Sequence, residues 1–186
     1  MSSTAGPVEL HPHSPGWAAL AAREVARLTV ALGAERLAAV HHIGSTAIPS
    51  IRAKPIVDLL AEVSSLAALD EAADLVRGLG YDWLGEFGSP GRRFCTLDDA
   101  ATGRRLVHLH CYAAGAPDVE RHLAFRDCLR ARPELARAYE AEKLRCRELW
   151  PDDRRAYTAA KSAWIDAVVR EALGCRPEGS RRATCE

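Results

Sequence analysis

The chain has 186 residues, 48% hydrophobic and 27% charged, a length and composition that suit one folded domain. No run of 18 apolar residues can span a bilayer, and the start MSSTAGPVELHPHSPGW lacks the basic and apolar regions of a secretory signal, so a cytoplasmic chain without a membrane partner is expected. Twenty-five basic residues balance twenty-five acidic ones, which argues against general nucleic-acid binding but leaves room for a local basic pocket.

Residues 1–14 read as coil, His11-Pro12-His13 included. WAALAAREVARLTVALG then carries Leu20, Val25, Leu28 and Leu32 at helical spacing, with Gly33 as the stop. RLAAVHHIG is a short apolar run ending at glycine, predicting a strand. PIVDLLAEV is more apolar still and predicts a strand covered on both faces. SLAALDEAADLVRGLG predicts one amphipathic helix capped by Ser64 or Ser65, with Gly80 near its end. YDWLGEF, RRFCTLD and RRLVHLHCY predict three more strands between Gly-, Pro- and Asp-rich turns. From Asp118 onward the pattern is helical, in three segments, with Pro133 and Pro151 at early helical positions.

The expected architecture is α+β, a mixed sheet flanked by helices and followed by a C-terminal helical bundle. One domain is expected over 15–175, with its sheet core at 34–117, its helical part at 118–175, and a flexible tail at 176–186. Six cysteines (95, 111, 128, 146, 175 and 185) form no C-x-x-C pair, and reduced, mostly buried thiols are expected.

The stretch HHIGSTAIPSIRAKPIVDLL holds the chemistry nearest the N-terminus. Gly44 lets the backbone approach an anion, Ser45 and Thr46 add hydroxyl donors, and a helix opening at Thr46 would add free N–H groups. An ordinary turn has the same letters. Lys54 can add a point charge on phosphate. Asp58 interrupts an apolar strand, where an unpaired carboxylate is costly, so it needs a cation, a metal or an ion-pair partner. A second acid two residues on would share an ion with it, but that position is Leu60. Glu62 lies about 13 Å along the strand, too far to share an ion, and can equally be a solvated strand end.

In LVHLHC, His108 and His110 alternate with apolar residues and share one strand face. Beside Asp58 they would make a two-His, one-carboxylate set suited to a transition metal; otherwise they bond neighbouring backbone or substrate. Arg92 and Arg93 follow the loop GSPGRR and can fork onto phosphate. On spacing alone they read as surface residues, as do Lys143 and Lys161 on the later helices.

Three blocks in order, HHIGSTAIPSIRAKPIVDLL, HLHCY and RHLAFRDCLRARPELARAYEAEKLRCRELWPDDRRAYTAAKSAWI, resemble the GrpB family from about Pro15 to Leu173. These proteins occur alone and attached to dephospho-CoA kinases, with a nucleotidyltransferase-like fold. The resemblance implies attack of an unknown small-molecule acceptor on the α-phosphorus of a nucleoside triphosphate, most simply ATP, with pyrophosphate leaving. By position, Gly44, Ser45, Thr46, Lys54, Arg93, Lys143 and Lys161 would hold phosphates. Asp58, with His108 and His110, would be catalytic and bind a divalent ion: Mg2+ or Mn2+ by fold, Zn2+ or another transition metal through the His pair. His42, Glu62 and Tyr157 complete the candidates. Leu60 departs from the pattern and puts two-metal catalysis in doubt. The alternatives are a nucleotide- or phosphometabolite-binding module that has lost transfer chemistry, and a fold recruited for other metal chemistry.

Overall fold

The computed structural model describes residues 7–174; the expected tail, Cys175 and Cys185 lie outside them. Helix α1 (Pro15–Leu32) opens on Ser14, whose hydroxyl accepts from the Gly16 N–H at 3.2 Å, and closes on Gly33 at φ +71°. Strand β1 (Leu37–Ile43) follows, then a single 3-10 turn (Ser45–Ala47) and strand β2 (Val57–Val63). Two short helices, α2 (Leu66–Glu71) and α3 (Ala73–Gly78), lead to strands β3 (Asp82–Trp83), β4 (Arg93–Asp98) and β5 (Arg105–Ala113). Helices α4 (Pro117–Ala131), α5 (Pro133–Leu149), α6 (Arg154–Ala160) and α7 (Ser162–Gly174) complete the described chain.

The five strands form one sheet in the order β1-β2-β5-β4-β3. β2 runs antiparallel to β1 and parallel to β5, so the sheet is mixed. The apolar character of β2 follows from this central position: Val57, Leu59, Ala61 and Val63 are buried against α1, α2 and α3. On the other face Leu60 is buried with Ile43, Tyr112 and Val119 of α4. A separate apolar cluster joins Ile48 and Ile51 to Phe125, Leu129, Tyr139 and Val168, fastening the helical part to the loop after the 3-10 turn.

Three local expectations need correction. The helix over 65–80 is two helices, because Ala72 leaves helical geometry (φ −96°, ψ 11°); Ser65 caps the first, accepting from the Ala68 N–H. The last helical segment is likewise broken at Lys161. YDWLGEF forms only a two-residue strand, because Gly85 and Phe87 turn to positive φ (+61° and +45°). Residues 7–14 make defined contacts: His11 exchanges backbone hydrogen bonds with Ala53 at 2.8 and 2.9 Å, and Val8 is buried with Cys146 and Tyr157. His13 packs edge-on against Trp17 at 5.5 Å.

The buried stripe of α1 also differs from its apolar periodicity. It runs Trp17, Ala21, Glu24, Leu28 and Leu32, with Leu20 and Val25 at its edges. Glu24 is fully buried; it accepts from Arg27 at 2.7 Å, from Arg23 at 3.0 Å and from the Tyr81 hydroxyl at 3.1 Å. Burial and the neighbouring Glu24 carboxylate raise the Tyr81 pKa. Arg27 also donates to the Leu79 carbonyl at 2.7 Å, so this cluster ties α1 to the end of α3. Glu24→Ala strands the Tyr81 hydroxyl and is expected to lower the unfolding free energy by about 1–3 kcal/mol, read as a lower urea midpoint at unchanged slope.

Candidate functional site

Asp58 stands where β2 and β5 run parallel, in register with His108 on one side and Ile43 on the other. Cross-strand partners share a face, so Asp58, Leu60, His108, His110 and Phe94 all look toward the C-terminal helices. The Asp58 Oδ1 lies 3.1 Å from His108 Nδ1 and 3.9 Å from His110 Nε2. Burial alone would raise the Asp58 pKa; the hydrogen bonds and charges of the two histidines outweigh it and hold the carboxyl far below its usual range.

The glycine turn acts on this carboxylate. Gly44 has φ +69°, and a Cβ added there would stand 3.0 Å from the Cβ and Cγ of Asp58, with Oδ2 closer still. A side chain at Gly44 would therefore collide with Asp58. The turn after Gly44 is a single 3-10 turn, Ser45–Ala47, rather than a longer helix. Its hydroxyls are engaged: Thr46 with His42 Nε2 at 2.9 Å, and Ser45 donating to the Tyr139 hydroxyl at 3.4 Å.

Between the sheet and helices α4–α7 lies a cleft of about 380 Å³. Asp58, His108, His110, Gly44, Ser45 and Thr46 line it, together with Lys54, Lys143, Lys161 and Tyr157 and with His122 and Arg121 from α4. The sequence contains only three lysines, against 22 arginines, and all three face this cleft. That scarcity is a signal readable in the sequence, missed when each lysine is judged by its own helix.

None of the three ammonium groups has an ion-pair partner among the described residues. Lys143, 1% exposed, donates to the Arg52 carbonyl and sits 4.8 Å from the Tyr139 ring centroid. Lys54 and Lys161 lie 5.7 and 4.2 Å from the Tyr157 ring centroid. Burial, then the charge of Lys161, lowers the Lys143 pKa to about 7. Burial, then Lys54, lowers that of Lys161 to about 8, and burial also lowers that of Lys54. Burial lowers the His122 pKa to about 4, with His110 adding to the effect, and lowers that of His110.

Three sequence candidates lie outside the cleft. Arg93 is in register with Cys111, on the opposite face, where it forks onto Asp70 with two 2.6 Å hydrogen bonds. His42, opposite Leu59, also points away; burial lowers its pKa to about 4, and it positions Thr46. Glu62 shares the Asp58 face but is engaged by His41 at 2.7 Å. Arg92 sits at the cleft rim, its Nη1 3.5 Å from His110 Nδ1.

The donor set does not fit a protein-held divalent ion. Among the described residues no three His, Cys, Asp or Glu groups converge as ligands. The cleft has one carboxylate facing three amines, and Leu60 is sealed in apolar packing. This charge balance favours an anionic ligand over a bare cation. Among the described residues, no helix is long and apolar enough to cross a membrane.

Comparison with known proteins places these features in a family. Residues 7–171 match the family model described as GrpB protein. The chain is 38% identical to UPF0157 protein YqkA of Bacillus subtilis over 89% of its own length and 47% of YqkA. It is 31% identical to the glutamate-rich protein GrpB of Alkalihalophilus pseudofirmus, over 89% and 96% of the two chains. It also matches a Mycolicibacterium paratuberculosis protein named dephospho-CoA kinase, at 32% identity over 89% of this chain and 46% of that one. The chain thus spans about half the length of YqkA and of that kinase. The crystal structure of conserved protein GrpB from Enterococcus faecalis superposes with a TM-score of 0.81 at 33% identity, covering 89% of this chain and 98% of that one.

With only three lysines, lysine-selective 13C labelling of the unliganded protein should give three Cε signals. Two are expected to titrate near pH 7 and 8, assigned to Lys143 and Lys161 by Lys→Gln variants. Gly44→Ala is expected to drive the Asp58 carboxylate off His108, lowering the thermal midpoint and shifting the His108 imidazole resonances.

Proposed function

The chain belongs to the GrpB family, and from that premise we propose that its cleft holds the phosphates of a nucleoside triphosphate and passes the nucleotidyl group to a small-molecule acceptor. The observation that carries this reading is the convergence of all three lysines on a cleft that among the described residues is lined by one carboxylate, Asp58. Lysine suits the task as a compact charge with three rotatable donors, and one that gains its proton when an anion arrives.

The chemistry follows from the Asp58–His108 pair. In the tautomer that donates Nδ1–H to Asp58, His108 presents Nε2 as the acceptor. His108 Nε2 takes the proton from the acceptor hydroxyl as its oxygen bonds to the α-phosphorus. The bond from that phosphorus to the bridging oxygen breaks, and pyrophosphate leaves with its charge held by Lys54, Lys143 and Lys161. Asp58 fixes the tautomer and stabilises the imidazolium. ATP is the nucleotide favoured by the family resemblance. Any Mg2+ or Mn2+ would enter with the nucleotide rather than through a ready protein ligand set.

Leu60 favours a second reading, in which the cleft binds the nucleotide and transfers nothing. Titration calorimetry with ATP, alongside a pyrophosphate-release assay across acceptors and metals, separates the two. Binding with release abolished about 100-fold or more by Asp58→Asn supports transfer; binding without release in the wild type supports the module. No binding of ATP, with or without metal, overturns both.

The pH dependence has a definite sign. Phosphate is held by the protonated amines, so affinity is expected to fall as pH rises through about 7 and 8. Binding at pH 8 should take up protons, read as a calorimetric enthalpy that varies with the buffer's ionisation enthalpy. Lys161→Ala is expected to weaken ATP roughly tenfold or more, the loss of one charge-assisted contact.

A further inference from the structure

The loop joining β3 to β4 carries a feature that stability does not explain. Phe87 stands at φ +45°, a conformation bulky side chains avoid, and its side chain is 57% exposed. Backbone strain and an exposed apolar ring both work against the folded state. The loop is nevertheless held firmly in place. The Arg92 guanidinium donates to the carbonyls of Glu86 (3.2 Å) and Phe87 (2.9 Å), and the Gly91 N–H donates to the Glu86 carboxylate at 2.9 Å. Phe87 lies flat on Phe94, with centroids 5.3 Å apart and planes 19° apart.

Beyond Phe94 the rings meet the histidines at a tilt, 51° to His108 and 56° to His110. The Phe94 ring is 5.0 Å from His110 and 5.4 Å from His108, both cleft-lining residues. Arg92, 4.7 Å from the Phe94 centroid, reaches His110 with the same guanidinium that fastens the loop. A preorganised aromatic shelf, outside the cleft lining itself, therefore stands next to His108 and His110, its outer ring turned to solvent.

We propose that the Phe87 ring, backed by Phe94 and locked by Arg92, is the stacking surface for the nucleobase of the ligand whose phosphates the lysines hold. The assignment rests on the nucleotide reading above and adds the subsite that receives the base. Stacking on an open ring face tolerates different bases and is strongest for the larger purine surface. The subsite would therefore rank purine above pyrimidine nucleotides without selecting strongly between adenine and guanine.

The test compares ATP, CTP and inorganic tripolyphosphate by calorimetry on the wild type and on Phe87→Ala, Phe87→Gly and Phe87→Trp. Phe87→Ala and Phe87→Gly are expected to weaken ATP roughly tenfold, leave tripolyphosphate unchanged, and erase the preference of ATP over CTP. Phe87→Trp is expected to keep or tighten ATP. Phe87→Gly relieves the positive φ, so its thermal midpoint is expected not to fall; this keeps the binding result free of a folding defect. ATP affinity unchanged in Phe87→Ala and Phe87→Gly overturns the stacking assignment while leaving the phosphate cleft standing. Equal weakening of ATP and tripolyphosphate overturns it as well, because the ring would then act on the lysine site. Failure of tripolyphosphate and both nucleotides to bind the wild type overturns the nucleotide reading and the subsite with it.

Discussion

Asp58 is a carboxylate placed in the middle of a central strand, and much of the site is arranged to keep it ionised there. A buried charge needs partners, and the parallel register of β2 and β5 supplies His108 directly beside it and His110 two residues on. Across the other edge of β2, the chain must turn without a side chain, and Gly44 at positive φ leaves the space that the carboxylate occupies. The turn commonly read as a phosphate cradle is, in this protein, first a seat for an internal anion. Its two hydroxyls are likewise spent internally, on His42 and Tyr139.

The lysines supply the complementary electrostatics. Their three amines, beside Tyr139 and Tyr157, make no ion pair among the described residues, and burial pulls the pKa values of Lys143 and Lys161 toward neutrality. Leu60 belongs to the same logic. It seals β2 to α4 through Ile43, Tyr112 and Val119, where a second acid would bring another negative charge into apolar packing. The His-x-His pair meets Asp58 on the same face, His108 Nδ1 at 3.1 Å and His110 Nε2 at 3.9 Å from its Oδ1.

Several parts of this arrangement were legible in the sequence because they follow from periodicity. The two-residue alternation of LVHLHC put both imidazoles on one face, and the interruption of PIVDLL marked Asp58 as needing a partner. The same alternation did not say which face Arg93 or His42 would take, since that depends on which strand lies alongside and in what register. Arg93 was read as a phosphate clamp; paired with Cys111, it turns away and meets Asp70. Glu24 was invisible for a related reason: a helix stripe read from apolar residues alone passes over a buried acid whose partners, Arg27 and Tyr81, neutralise its cost.

The sequence by itself determined the α+β order, the nature of β2 as a buried strand, Asp58 as an acid in need of a partner, and the shared face of His108 and His110. These depend on local spacing and on the high cost of isolated buried charge. Only the tertiary structure decided that His108 lies beside Asp58, that Lys54, Lys143 and Lys161 share one cleft, that Gly44 leaves room for Asp58, and that Phe87 stacks on Phe94. Those contacts join residues tens of positions apart, and long-range register and helix docking, which no local pattern encodes, set them.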